Sequence, residues 1–410
     1  MTDDGDRAAA MLDEIAAVSE PGAGVTRLPF TAEHARALDI IRGWMEAAGL
    51  VVSLDAAGTL AGRLEGPPGA PTLLLGSHQD SVREGGRYDG IMGVLLPILA
   101  VEKLRERGIR LPFAVECLAF ADEEGVRFPT ALIGSRALAG RLDPAVLDMA
   151  DADGVTLRAA MEGFGLDPEA LPQAARDPGG MLGFLECHIE QGPVLQVENQ
   201  ALGVVTAICG IERHGVTLTG EAGHAGTIPM ALRRDALAGA AEIIGEVERS
   251  ARETDGLLGT VGALSVAPGV VNAVPGEVRM SVELRAPDDA VRETAGAAVH
   301  RFCGALAERR GLAVTARRDY AQPAIACDPQ LTATLADAVK ATGGAGLALP
   351  SGATHDASAM ADLCPVTMLF VRCRDGISHN PAEYAAPADM GAAVAAIAGF
   401  IETLRPGQGA

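Results

Sequence analysis

An α/β fold is what this 410-residue sequence predicts: a domain with a mixed, largely parallel sheet, interrupted by an inserted ferredoxin-like α+β domain. Three observations carry that expectation. Over the first half, β-rich apolar runs alternate with segments of helical spacing, the pattern of strand–helix–strand units. Residues 210–320 follow a different grammar, β-α-β-β-α-β. The first pattern then resumes, so one domain is expected to span 1–209 and 322–410, and the other 210–321.

The elements follow in order. In residues 31–49, TAEHARALDIIRGWMEAAG, Ala35, Leu38, Ile41, Trp44 and Met45 recur at helical spacing. Thr31 is the expected N-cap and Gly49 the stop. Val51–Leu54, Leu60–Leu64 and Thr72–Leu75 read as strands, 89–107 as a strongly apolar helix with basic residues in its last turn, and 112–121 as another buried strand. In the insert, Val216–Thr219, Leu258–Val266, Val278–Leu284 and Leu312–Thr315 read as strands, and Ala231–Ala251 and Asp288–Arg309 as helices. Strand Val366–Val371 and helix Ala388–Leu404 close the first domain.

Composition narrows the function classes. A formal net charge of −21 with 3% aromatic residues argues against a nucleic-acid partner, since no Lys/Arg block is interleaved with aromatics and stacking platforms are scarce. No apolar run reaches the length of a membrane span, so no membrane partner is expected. The acidic start MTDDGDRAAAMLDE lacks the apolar core of a secretory signal. Seven cysteines without CxxC pairs suit a reducing compartment, so a cytoplasmic location is expected.

The chemistry concentrates in short polar motifs: His78 in GSHQDS, Asp89 in GGRYDG, Glu124 in ADEEGVRF, His188 in ECHIEQGP and His379 in ISHNP. Only eight histidines exist, and three fall in this set. Nitrogen and oxygen ligands without cysteine suit borderline divalent metals such as zinc or manganese. Sites in open α/β sheets form beyond the carboxyl ends of strands, which is where TLLLGSHQD carries His78 and Asp80. Residues two apart in extended chain point the same way, so Asp80 is expected to accept a hydrogen bond from the free ring nitrogen of His78. Adjacent residues diverge, so Glu124 is read as ligand and Glu123 as general base. One carboxylate at Asp89 can bridge two cations. Against this stand plainer readings: a histidine on an apolar face is usually a satisfied core residue, and paired acids usually form a solvated turn. The joint pattern favours a dinuclear metal site.

Those strings, together with GHAGTIPM, VVNAVPGEV, SGATHDA and GISHNPAE, resemble in content and order the amidase/hydantoinase/carbamoylase branch of the dinuclear metallopeptidase superfamily. Its members include N-carbamoyl-L-amino-acid hydrolases, allantoate amidohydrolases and β-ureidopropionases. The resemblance implies one divalent ion on His78 and His188, another on Glu124 and His379, Asp89 bridging them, and a cis Asp89–Gly90 peptide. Zinc, manganese, cobalt and nickel all serve in the family. The insert is implied to be a lid and dimerisation domain, giving a homodimer. His224 matches a lid histidine that stabilises the oxyanion. Asn272 and Arg285 match residues that grip a substrate carboxylate, and Gln191 one near the same group; His355 is expected beside them. Alternation of Val278, Met280, Val282 and Leu284 independently puts Arg285 on the non-core face of its strand. Thr354 stands where the family commonly has glycine, which bears on substrate preference and not on the metal ligands.

The implied reaction is hydrolysis of a ureido C–N bond next to a carboxylate, releasing ammonia and carbon dioxide from a small ureido acid. An aminoacylase or dipeptidase using the same metals is the alternative enzyme, and a non-catalytic binding protein the remote one. GxSxG, HExxH and Walker motifs are all missing from the chain.

Overall fold

A computed structural model describes residues 2–405. The chain separates into two compact units: the first runs to Thr206 and resumes over Cys327–Leu349 and from Ala353, and the second is Ala207–Ala326 with Pro350–Gly352.

The first unit is built on a mixed sheet. Its strands lie in the order Val51–Leu54, Leu60–Leu64, Ala114–Phe120, Thr72–His78, Met181–Ile189, Val366–Val371 and Leu202–Ile208. The middle four are mutually parallel and the flanking pairs antiparallel. Thr72–His78 and Ala114–Phe120 are buried at every residue, as expected of parallel strands covered on both faces. One cover is a large apolar cluster that includes side chains of the helices Thr2–Ala16, Ala32–Ala47, Ile91–Glu106, Pro329–Ala341 and Pro387–Thr403. The short helices Ile133–Leu138 and Asp356–Met360 contact the same sheet, and a separate cluster around Phe128, Ile133 and Met161 fills the space beside them.

Local chemistry explains the boundaries. Thr31 caps its helix by accepting the amide of His34, and Gly49 turns the chain at φ +75°. Ile91–Glu106 is apolar around most of its circumference because it is buried between sheet and helices. Gly93 lets it approach the sheet: a Cβ there would lie 2.0 Å from the carbonyl of Cys187.

The second unit has the spatial order Leu264–Ala267, Glu277–Ala286, Gly210–Thr219, Ala313–Gln322, all antiparallel, with Leu258–Thr260 also on Glu277–Ala286. With helices Ala236–Glu253 and Asp289–Arg310 this is the β-α-β-β-α-β arrangement over its own core. Two details differ from expectation. The first helix starts at Ala236, not Ala231, because Asp235 caps it through Leu237 and Ala238 after a separate turn at Met230–Leu232. The run Leu258–Val266 is two strands, broken between Thr260 and Leu264.

Candidate metal centre

Strand register builds the site. Leu75 pairs with Leu185 in the parallel ladder, so three residues on, His78 and His188 end adjacent strands side by side, with ring centroids 5.8 Å apart. Both are buried, and each orients its ring through Nδ1. His78 donates to the carbonyl of Asp80 at 3.0 Å and His188 to that of Ile189 at 2.9 Å. A carbonyl only accepts, so Nδ1 carries a proton in each ring, and in the neutral imidazole Nε2 then holds the lone pair that a metal would use. Both Nε2 atoms face one oxygen of Asp89: Oδ1 lies 3.0 Å from His188 and 3.5 Å from His78. The other oxygen, Oδ2, lies 3.6 Å from Nε2 of His379, which is 3.8 Å from Glu124. Asp89 therefore belongs to two groups of possible ligands, with His78 and His188 on one side and Glu124 and His379 on the other, each spanning no more than 4.8 Å.

Three expectations need correction. Asp80 does not chiefly accept from His78 through its side chain; that carboxylate is 3.4 Å from Nδ1, farther than its own carbonyl. The strand ends at His78, so the extended two-residue period no longer applies. Instead the Asp80 carboxylate accepts the amides of Glu123 (3.1 and 3.2 Å) and Glu124 (3.3 Å). For the same reason Glu123 and Glu124 do not diverge: their strand ends at Phe120, the chain turns over Asp80, and both carboxylates lie within a 4.8 Å group with His78. What separates them is that Glu124 alone also joins Asp89 and His379. Finally, the Asp89–Gly90 peptide is not cis; among the described residues the cis bond is Ala267–Pro268. The reversal is made by Gly90 at φ +66°, where a Cβ would strike the His78 ring at 2.3 Å.

Gln191 and Ser378 both donate to Asp89 Oδ2, at 2.8 and 2.7 Å. Gln191 thus contacts the central carboxylate as well as lying in the motif that suggested a substrate contact. Gln191 (φ +56°) and His379 (φ +53°) hold left-handed backbones, uncommon for residues other than glycine. His355 is buried with its ring 4.6 Å from that of His188. Glu383, not anticipated as a site residue, accepts the amides of Tyr88 and Asp89. Its clue was its place in ISHNPAE, a polar stretch without core periodicity.

Charge balance shows what the site lacks. Burial pushes the Glu124 carboxyl up to about 8 and Glu123 well above the usual range, and neighbouring carboxylates add to both shifts. Burial opposes ionisation of Asp89 too, but His188 and His78 pull it well below the ordinary value. Burial likewise disfavours charge on both histidines, yet Asp80 and Asp89 raise His78 and Asp89 raises His188. His355, by burial and then by the charge of His188, is held well below its usual value. Acids packed this closely stay ionised only beside added positive charge. Oε1 of Glu124 is buried with no hydrogen-bond partner. An all-nitrogen-and-oxygen donor set, an orphaned carboxylate oxygen and a deficit of cationic charge fit two divalent ions.

The other predicted residues belong to the second unit. His224 pairs with Ala273 in a two-stranded ribbon, and the amide of Ala225 donates to the carbonyl of Asn272, so His224 and Asn272 are close. Arg285 lies near the far end of Glu277–Ala286, roughly 25 Å along the strand from that ribbon. It pairs with Glu283 at 2.7 Å and donates to the carbonyl of Gly352.

Residues 74–403 match the model of peptidase family M20/M25/M40. The chain belongs to that family. It is 44% identical over 371 residues to an N-carbamoyl-L-amino acid amidohydrolase of Geobacillus stearothermophilus, covering 90% of this chain and 91% of that one. It is 39% identical to an allantoate deiminase of Arabidopsis thaliana, covering 97% and 82%. Among solved structures, a hydantoinase/carbamoylase-family amidase from Burkholderia multivorans superposes with a TM-score of 0.91 at 33% identity, over 97% of both chains. This member of the M20/M25/M40 family is a hydrolase of the amidohydrolase type.

Proposed function

We propose that this M20/M25/M40 member cleaves the carbamoyl C–N bond of a carboxylate-bearing ureido acid, an N-carbamoyl-L-amino acid or allantoate, at a site holding two divalent ions. The observation that carries the reading is Asp89, whose two oxygens face two separate pairs of ligand-type side chains, with Glu123 beside His78 and outside the Asp89 groups. His78 and His188 would hold one ion, Glu124 and His379 the other, with Asp89 shared. Such ions supply Lewis acidity, activating water and polarising the carbonyl.

The chain's own groups do the rest. Glu123 takes the proton of the attacking water and returns it to the leaving nitrogen, and its raised affinity for protons suits both tasks. The carbamate released decays to carbon dioxide and ammonia. Asp80 anchors the Glu123–Glu124 turn. His355, kept neutral, packs against His188 and borders the substrate. Arg285 offers a planar fork to the substrate carboxylate, with Asn272 and Gln191 as further contacts. His224 donates to the developing oxyanion. His224 sits in the two-stranded ribbon and Arg285 roughly 25 Å away along the strand Glu277–Ala286, which supports a homodimer in which a second copy of the second unit supplies His224 to the same substrate.

The test is ammonia release from manganese- or zinc-loaded protein across N-carbamoyl amino acids and allantoate, run beside N-acetyl amino acids and dipeptides. Ammonia from the ureido acids is expected. Free amino acid from the acyl amides alone would make the protein an aminoacylase or dipeptidase.

A further inference from the structure

Asp89 is gripped through its backbone as well as its side chain, and the backbone grip comes from a residue 294 positions away. Oε2 of Glu383 accepts the amide of Tyr88 at 2.9 Å and that of Asp89 at 3.0 Å. Glu383 is 4% exposed, so water does not compete strongly for these bonds. The carbonyls of the same two residues accept from the first turn of the following helix, Met92 to Tyr88 and Ile91 to Asp89. The peptide leading into Asp89 is thereby held on both sides.

The grip also joins two ligand loops. Glu383 follows His379 by four residues, and the intervening turn is closed by Asn380, which accepts the amide of Ala382 on its side chain at 2.9 Å and that of Glu383 on its carbonyl at 3.0 Å. Ser378, on the other flank of His379, donates to Oδ2 of Asp89 at 2.7 Å. The His379 loop therefore touches Asp89 at backbone and side chain together. Room for this is made at Gly86, where a Cβ would fall 2.1 Å from Oε2 of Glu383.

We infer that Glu383 is a positioning residue that locks the Asp89 backbone to the His379 loop and so sets the spacing of both ion positions. The inference rests on the two-ion reading above. Losing an outer partner of a ligand typically costs about 10–100-fold in metal affinity. Glu383→Ala should weaken uptake of zinc or manganese by that factor, measured by chelator competition on the apo protein, while its apo circular dichroism stays that of the wild type. Glu383→Gln keeps an amide oxygen for the two N–H groups and should bind within about threefold of wild type. Gly86→Ala leaves the carboxylate in the chain but pushes it off the amides, and should reproduce the loss of Glu383→Ala; it carries the test should that variant fail to fold.

Wild-type affinity in Glu383→Ala or Gly86→Ala would overturn the inference, as would a Glu383→Gln protein as weak as Glu383→Ala. Two ions taken up by the wild type keep such a result separate from the broader reading. A wild type that binds none defeats both.

Discussion

Glu123 and Glu124 share a turn, a backbone anchor in Asp80 and a neighbour in His78, yet they differ in reach, because Glu124 alone also meets Asp89 and His379. That difference yields opposite expectations for two neighbouring substitutions. Glu123→Ala should retain two ions and lose turnover by about 10²–10⁴-fold, the usual contribution of a general acid–base. Glu124→Ala should lose metal first, and activity with it. Metal content by elemental analysis, set beside ammonia release, checks both; a Glu123→Ala protein that loses its ions would make Glu123 a ligand. The sequence made the five ligand-type residues legible because they end apolar runs in polar motifs, where a core role is hard to sustain. It misled on how they are held. The expectation that Glu123 and Glu124 diverge assumed extended chain, and the strand had already ended at Phe120. Glu383 was hidden because its partners are backbone amides, which leave no trace in residue type.

At the scale of elements, periodicity served best where one face is buried and caps are explicit. Thr31 and Gly49 bracket their helix as expected, and Val51–Leu54, Leu60–Leu64 and Val366–Val371 have the bounds that were read. Thr72–His78 runs three residues past the expected strand because Gly76, Ser77 and His78 continue the ladder with polar or absent side chains, which apolar spacing cannot register. Helix Ile91–Glu106 shows a related limit: buried nearly all round, it has no stripe to mark which side meets the sheet. Its glycine does mark it. Gly93→Ala would set a methyl against the carbonyl of Cys187 and the side chain of Ser77, and should destabilise the protein by about 1–3 kcal/mol as overpacking does. Gly43→Ala, on an exposed helical face with nothing within 4 Å, should instead stabilise by about 0.5–1 kcal/mol. Urea midpoints of the two variants should therefore move in opposite directions; equal shifts would refute the close approach of helix to sheet at Gly93.

For the molecule as a whole, the sequence changes grammar near 210, but nothing in it points to Pro350–Gly352, which group with Ala207–Ala326. The contacts of that three-residue piece include the Cys209 amide to the Ser351 carbonyl and Arg285 to the Gly352 carbonyl, backbone partners that no periodicity announces. The apolar clusters around Leu95 and around Phe128 lie in the first unit and the one around Val216 in the second, and the ligand-type residues His78, Asp89, Glu124, His188 and His379 all lie in the first. Metal binding should therefore stabilise one unit selectively. An ion present at a hundred times its Kd contributes about 2.7 kcal/mol to the state that binds it, so two contribute about 5 kcal/mol. On a unit of this size, that corresponds to a shift on the order of 10 °C. Calorimetry should show a transition that falls by this amount when a chelator strips the ions and a second, belonging to Ala207–Ala326, that stays in place. The shift should also grow with free metal concentration, because it reflects occupancy and not a permanent change in packing. A chelator that moves neither transition would mean that the crowded carboxyls of the site take up protons rather than cations, and the reading of Asp89 as a shared ligand would fall with it.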